Sequence, residues 1–449
     1  MSFPNVFSKN LAINFLLLLI PITNIVGNLA LNANIVLLIL YVFFSYGLKV
    51  FRIKYNLIDK LICIFFIYVF LNGVFNNLFN FNFPTAADEN LILIKSLFFL
   101  RYLVLYFVIR FLTTNRIINF KLLFFIFGLS AFFVSFDILV QFLFGQNLFG
   151  MEGTGRRLSG IFGAEYIAGG FIQKFFIFLP FATLFYSKIK SPFFTQLIIF
   201  STLLISIFGI LVSGNRIPLI MSFLIIFLIF FYEKKFRKTI TSLILVFLLG
   251  FSFLLKTNSD AYNHFSGFKD RSLEFIIYFQ TKISNKQANE NYYGFTARNS
   301  YVKEVESGIL TWQQNKIFGG GLKSFYFHCN KISKIDKEKY QKYIGNCNTH
   351  PHNYYLDIAV SLGIIGLILS ILIFSLTLKE SFKSISSSNN NEFKNILIPF
   401  YILFIAEIFP FRTTGGFFTT ITGNYLFIIL AIIVGLIELN NIKSINEEK

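Results

Sequence analysis

Four short segments hold the side chains of this sequence best suited to chemistry on a phosphate. Thr154-Gly155-Arg156-Arg157-Leu158-Ser159-Gly160, Ser213-Gly214-Asn215-Arg216 and Phe411-Arg412-Thr413-Thr414-Gly415-Gly416 each join a guanidinium to small residues that let a ligand approach the backbone. A guanidinium is a planar fork of permanently charged donors and matches the oxygens of a phosphate or pyrophosphate. The fourth segment is Thr349-His350-Pro351-His352-Asn353-Tyr354-Tyr355-Leu356-Asp357. Its imidazoles titrate near neutrality and can take a proton from a hydroxyl or donate to a phosphate. Arginines at the ends of apolar runs also snorkel to lipid headgroups, and histidines also cap helix entries. Four arginines gathered in Gly/Ser/Thr-rich turns favour a binding role over the bland one.

Long apolar runs separate these segments. The 449-residue chain is 55% hydrophobic and 14% charged, a composition solvated by lipid rather than by water. About 20 apolar residues cross the hydrocarbon core. Twelve spans are predicted near 11–27, 31–48, 60–78, 96–112, 120–143, 164–186, 193–212, 217–232, 239–255, 354–377, 396–409 and 421–437, those at 217–232 and 396–409 being the shortest. The first is longer and less basic at its start than a secretory signal and is read as retained. The expected fold is all-α, a polytopic integral membrane protein with about 12 transmembrane helices and one large extracytoplasmic loop. It divides into N-terminal transmembrane helices (1–150), helices carrying the Arg motifs (151–255), the loop (256–353) and C-terminal transmembrane helices (354–449).

Charge placement predicts the orientation. With a cytoplasmic N-terminus, the inner connections hold clusters such as Lys49, Arg52, Lys54 and Lys60, then Arg110, Arg116 and Lys121, then Lys234, Lys235, Arg237 and Lys238. The short outer connections hold only Lys95, Arg156, Arg157, Arg216 and Arg412. Basic-rich and basic-poor connections alternate, as the inside-positive bias requires, and the long loop does not vote. The Arg motifs and the loop then emerge on the extracytoplasmic face. The formal +18 charge of the chain needs no nucleic acid, because the lysine-rich inner connections account for it. Of the few acids near spans, Glu165, Asp137 and Asp357 are candidates for a base or a hydrogen-bonding partner. Glu407, shortly before Arg412, reads at least as well as an ion-pair partner.

Segment 256–353 carries all four histidines, His264, His328, His350 and His352, and two of the three cysteines. Irregular helical spacing over 269–283 suits a helix along the membrane surface. Tyr301, Val302, Val305, Ile309 and Trp312 predict a helix with one apolar face over 298–315, ended by Gly319-Gly320-Gly321. Cys329 and Cys347 flank a lysine-rich stretch too polar to hold itself together by burial, and they read as a disulfide in an oxidising compartment. A zinc site using both with a neighbouring histidine is the alternative; the His-Pro-His geometry and the lack of a paired CxxC count against it. Cys63, within a span, reads as an inert apolar residue. Tyr292, Tyr293, Tyr326, Trp312, Tyr354 and Tyr355 are able to stack on sugars, with interfacial anchoring as the simpler reading.

In order along the chain, Arg157-Leu158-Ser159-Gly160-Ile161-Phe162, Ser213-Gly214-Asn215-Arg216, Ile317-Phe318-Gly319-Gly320-Gly321 with Phe325, His350-Pro351-His352-Asn353-Tyr354-Tyr355-Leu356 and Gly363-Ile364-Ile365-Gly366 make a set. The set resembles the bacterial O-antigen ligase and polymerase-like membrane glycosyltransferases. The resemblance runs over about 155–370. It implies a multi-pass protein of the bacterial inner membrane whose site faces the periplasm and which uses neither a nucleotide sugar, a cofactor nor a metal. The implied donor is a polyprenyl-pyrophosphate-linked glycan. The implied acceptor is the lipid A core in a ligase, or a second lipid-linked glycan in a polymerase. On this chain the loop histidine falls at His352, the phosphate-facing arginines at Arg157 and Arg216, and a looser match at Arg298. Asn215 and Asp357 depart from the family tags without separating ligase from polymerase.

The residue chemistry agrees with that expectation. A departing pyrophosphate is anionic, so Arg156, Arg157, Arg216, Arg298 and Arg412 would bind it, and Arg216 would stabilise the charge developing as the glycosidic bond breaks. His352, with His350 second, would take the acceptor proton, and Glu165 or Asp357 would support it. Single displacement with inversion follows from the resemblance. A repeat-unit polymerase is the rival enzyme. A lipid-linked glycan transporter or flippase is the rival of another class, though the matching broken helices it requires are not found in the two halves. No Rossmann glycine pattern, Walker A lysine or HExxH occurs.

Overall fold

A computed structural model describes residues 6–79, 90–153, 157–186, 192–283, 300–335, 347–412 and 415–447. Arg156 and Arg298, together with Tyr292 and Tyr293, lie outside the described residues. Described secondary structure is helical, apart from one isolated bridge between Gln146 and Glu152. The bundle comprises α1 (Val6–Leu18), α2 (Ile20–Val26), α3 (Asn28–Tyr46), α4 (Leu57–Leu78), α5 (Leu91–Phe99), α6 (Arg101–Thr114), α7 (Phe120–Phe144), α8 (Ala168–Phe175), α9 (Phe178–Tyr186), α10 (Pro192–Val212), α11 (Arg216–Tyr232) and α12 (Arg237–Thr257). After α13 (Ser259–Ile283), α14 (Ser300–Gln313) and α15 (Phe325–Ile335), the chain re-enters through α16 (Tyr354–Ser387), α17 (Asn391–Glu407) and α18 (Thr420–Glu447).

Among the described residues nine helices are long and apolar enough to cross a membrane, or ten if α1 and α2, bent by 42°, count as one span. A polytopic all-α membrane protein is the result. The two shortest predicted spans correspond to α11 and α17, each 17 residues long, the latter with Pro399 inside it. Outward-facing apolar side chains such as Leu29, Phe44 and Leu249 remain exposed, as a lipid-facing surface requires. The core is mostly phenylalanine and aliphatic, with Phe66, Phe99, Tyr102 and Phe427 packed edge-to-face and stacked.

Buried ions clamp one end of the bundle. Arg110, fully buried, lies 3.4 Å from Asp59 and 2.5 Å from Glu438, and Tyr106 donates to Asp59 at 2.5 Å. Asp59 also closes a capping box with Asn56 at the start of α4. Arg110, one of the basic residues assigned to the inner connections, is instead buried within α6 and holds α4, α6 and α18 together. An exposed pair, Lys121 with Glu392 at 3.5 Å, joins the starts of α7 and α17.

The opposite end carries the Gly-rich turns. The long helix α16 is broken at Gly363, whose φ of +65° is non-helical. The break frees the Val360 and Ser361 carbonyls, which accept from Gly320 and Gly321, while Ile364 donates to Lys316. A Cβ at Gly363 would run into the Ile317 carbonyl group, so only glycine permits this close approach. The two glycine tags are therefore one structural device that docks segment 316–321 against α16. The helix predicted over 298–315 runs over Ser300–Gln313, and the one predicted over 269–283 starts earlier, at Ser259.

Candidate functional site

A cavity of about 540 Å³ opens at the end of the bundle that bears the glycine-rich turns. Each basic side chain reaches it from a different element. Arg216 opens α11, directly after a turn in which Gly214 has φ +70° and Asn215 accepts the Gly169 backbone N–H at 3.0 Å. The unusual Asn215 thus ties this turn to the start of α8. The Arg216 guanidinium lies over the Phe268 ring of α13 at 5.3 Å, and Arg271 lines the cavity one turn further along that helix. Arg157, exposed, faces the Tyr166 ring at 6.0 Å. Behind it Gly160 donates to Gln141 at 2.9 Å, and Asp137 holds the preceding loop by accepting from Leu148 and Asn147.

The floor is a buried ion network. Glu407 is paired with Arg412, lies 4.0 Å from Lys174 and accepts from the Tyr354 hydroxyl at 2.5 Å. Lys174 also sits 4.7 Å from the Tyr425 ring centroid, and Arg412 5.6 Å from that of Tyr354. Tyr354 further meets Thr422 at 3.2 Å. One carboxylate against two cations leaves the floor net positive, and Arg412 and Lys174 both reach the cavity. The Glu407–Arg412 ion pair read from the sequence is present.

His352 forms part of the wall. Its backbone is left-handed, φ +50°, which is uncommon for a residue with a side chain and marks a conformation held by its surroundings. Asn353 does much of that holding: it caps α16 by accepting from Tyr355 and Leu356 and donates to the Pro410 carbonyl at 2.8 Å. The His352 ring nitrogen Nε2 lies 3.3 Å from the Asn348 amide. Burial pushes the His352 imidazole below its ordinary pKa, which keeps it neutral near pH 7. His350 stacks edge-on against His352 at 4.4 Å and accepts the His352 backbone N–H on Nδ1 at 3.3 Å. Burial, then His352 and Lys323, lower His350 to about 4. His350 stands behind His352, outside the cavity lining.

Of the two supporting acids named from the sequence, neither lines the cavity. Glu165 is exposed. Asp357 is buried and accepts from the Phe418 N–H at 3.4 Å. A Cβ at Gly416 would come within 2.8 Å of the Asp357 carboxylate and 2.9 Å of the His350 ring, so the absence of a side chain there lets the 415–418 turn pass over both. Sequence reasoning missed three charged lining residues. Lys174 sits inside an apolar helix, and its isolation as a cation among apolar residues was the available signal. Arg271 and Glu304 belong to long polar stretches where nothing singled them out. Among the described lining residues Glu304 is the one carboxyl, and burial raises its pKa.

Cys329 and Cys347 are bonded in a disulfide that closes an 18-residue separation and ends three residues before His350. Trp312 and Tyr355 spend their polar tips on the Lys316 and Ile408 carbonyls. Among the described residues no three His, Cys, Asp or Glu side chains are grouped to hold a metal ion.

No curated protein matches the chain. Arg216, Arg271, Glu304 and His352 all fall within residues 201–371, and that stretch matches the family model described as O-antigen ligase (Wzy_C).

Proposed function

We propose that the chain is a glycosyltransferase of the O-antigen-ligase type, moving a glycan from a polyprenyl pyrophosphate to an acceptor sugar hydroxyl, on the periplasmic face of a bacterial inner membrane. One observation carries the reading. Arg157, Arg216, Arg271, Arg412 and Lys174 converge with His352 on a single cavity, within a chain whose residues 201–371 match the O-antigen ligase family. Five cations at the end of a lipid-facing bundle suit a lipid-borne pyrophosphate, and a neutral imidazole among them suits proton removal.

In this reading the acceptor oxygen attacks the anomeric carbon of the donor glycan, and the bond from that carbon to the phosphate oxygen breaks. Polyprenyl pyrophosphate departs with the bonding electrons, and the acceptor proton passes to His352. Arg216 and Arg412 stabilise the charge that grows on the leaving oxygen, from positions fixed by Phe268 and Glu407 before reaction begins. His350 positions His352 by accepting its backbone N–H. The acceptor is the lipid A core in the ligase reading. A second carrier-linked repeat makes the same chemistry a polymerisation.

The test is transfer by the purified protein in detergent from a polyprenyl-pyrophosphate glycan to either acceptor. Wild type should transfer with inversion, and His352→Ala should lose about two to four orders of magnitude in kcat, as expected for loss of a general base. Wild-type-level transfer by His352→Ala, or retention at the anomeric centre, would remove the mechanism.

A further inference from the structure

A second cavity, of about 520 Å³, lies beside the first and is not used by the mechanism above. Three cations line it: Lys95 of α5, Arg101 at the start of α6, and Lys323. Asn28 and Asn32 of α3 add amide groups, and no Asp or Glu is among its described lining residues. Arg101 is positioned by its Nη2, which donates to the Tyr102 hydroxyl at 2.7 Å. Its Nε is buried and has no hydrogen-bond partner. A buried N–H on a permanent cation is costly without an acceptor, so an anionic oxygen is the group that completes this site.

Lys323 is delivered there by the glycine tag. Gly321, anchored on the Ser361 carbonyl, leads directly into Lys323, whose own φ of +68° is left-handed. Burial and the neighbouring Lys95 both lower the Lys323 pKa, and only Asp357, itself held by Phe418, opposes them. Two mutually repelling lysines facing one cavity favour an anion between them.

The two cavities share a wall. Thr419 and Ile421 line both, so a single turn, 418–421, separates their contents. Lys323 also acts electrostatically on His350, the neighbour of the cavity histidine. We propose that this second cavity binds the phosphoryl group of the acceptor lipid, so that donor and acceptor are each held by an anionic headgroup on either side of the 418–421 turn. The assignment of the occupant as acceptor rests on the function proposed above; the anion site itself does not. Either acceptor class carries this chemistry, as the pyrophosphate of a carrier-linked repeat or as the phosphates of a lipid A core.

The experiment counts bound lipid by native mass spectrometry of the full chain in detergent. The probes are polyprenyl pyrophosphate, phosphorylated lipid A core and phosphatidylglycerol, added singly, and the first two also together. Wild type should hold two molecules of polyprenyl pyrophosphate, or one of these and one of lipid A core. Lys95→Gln/Lys323→Gln should lose one, and Arg216→Gln should lose the other. The acceptor whose binding the lysine pair controls names its source. In transfer assays the lysine pair should raise acceptor KM at least tenfold and leave donor KM unchanged. A lysine pair that changes neither the count nor acceptor KM overturns the proposal, as does a second site filled equally well by phosphatidylglycerol. Absence of transfer in wild type, with two sites still counted, would sink the enzymatic reading and leave the second anion site standing.

Discussion

The hydroxyl of Tyr354 donates a 2.5 Å hydrogen bond to Glu407, the carboxylate that is also paired with Arg412. Tyr354 lies two residues after His352, so the group proposed to take the proton and the guanidinium proposed to hold the pyrophosphate are coupled through one buried carboxylate. Tyr354, Glu407 and Arg412 are each below one tenth exposed, so solvent does little to screen them.

Glu407→Gln leaves Arg412 and Lys174 as buried cations with a weaker partner. Breaking a buried pair costs about 3–5 kcal/mol, so this variant should melt well below wild type in detergent. Tyr354→Phe removes one hydrogen bond and should cost about 1–2 kcal/mol. A Glu407→Gln melting temperature equal to wild type would show that the floor network does not support the fold.

The histidines set the pH response. A base must be neutral to accept a proton, and His352 is pushed below its ordinary value of 6.5. The acid limb of kcat/KM should therefore fall below pH 6.5, with activity flat through neutrality. Stability follows His350, lowered from 6.5 to about 4. Above pH 6.5 folded and unfolded states are both neutral there and stability is full. Between 6.5 and 4 only the unfolded state binds the proton, so stability falls. His350→Gln should flatten the melting profile over that window, and an unchanged slope would refute the assignment.

Arg216→Lys is a stringent test of the fork geometry. Lysine keeps the charge but loses the planar donor pair and the face-on contact with Phe268. Donor KM should rise about 10- to 100-fold, the scale of one charge-assisted contact worth about 1.5–3 kcal/mol. Equal KM values would mean that Arg216 acts only as a point charge.

Gly363→Ala tests the docking of segment 316–321. The new Cβ meets the Ile317 carbonyl group at a left-handed φ, so the segment must move. Thermal stability should drop, and acceptor KM should rise through displacement of Lys323. Gly267→Ala, where no atom lies within 4 Å of the added Cβ and which lines neither cavity, is the control that should neither lower stability nor raise acceptor KM.

Reduction should loosen the histidine segment. A closure over 18 residues contributes about 3 kcal/mol in the chain-entropy picture. Cys329→Ser/Cys347→Ser should lower both melting temperature and transfer, and a reductant should then have no further effect. Wild-type transfer in fully reduced protein would show that His352 is held by Asn353 alone.

Much of this protein is legible in the order of its residues, because lipid allows a buried backbone few alternatives to the helix. Apolar runs of spanning length, basic-rich and basic-poor connections in alternation, and Gly-flanked arginines each act over a few neighbouring positions. The O-antigen-ligase resemblance likewise rested on local tags, and residues 201–371 match that family. What chain order left open is which charges meet. Arg110 and Arg412 look alike beside apolar runs, yet one clamps α4 to α18 and the other faces a cavity. Lys174, Arg271 and Glu304 join Arg216 only because α8, α13 and α14 converge at one end of the bundle. Asp357 and the glycine tags turned out to hold turns rather than to line the cavity. Ion pairing and cavity formation depend on separations of a few ångströms between residues far apart in the chain, and packing of the whole bundle sets those separations.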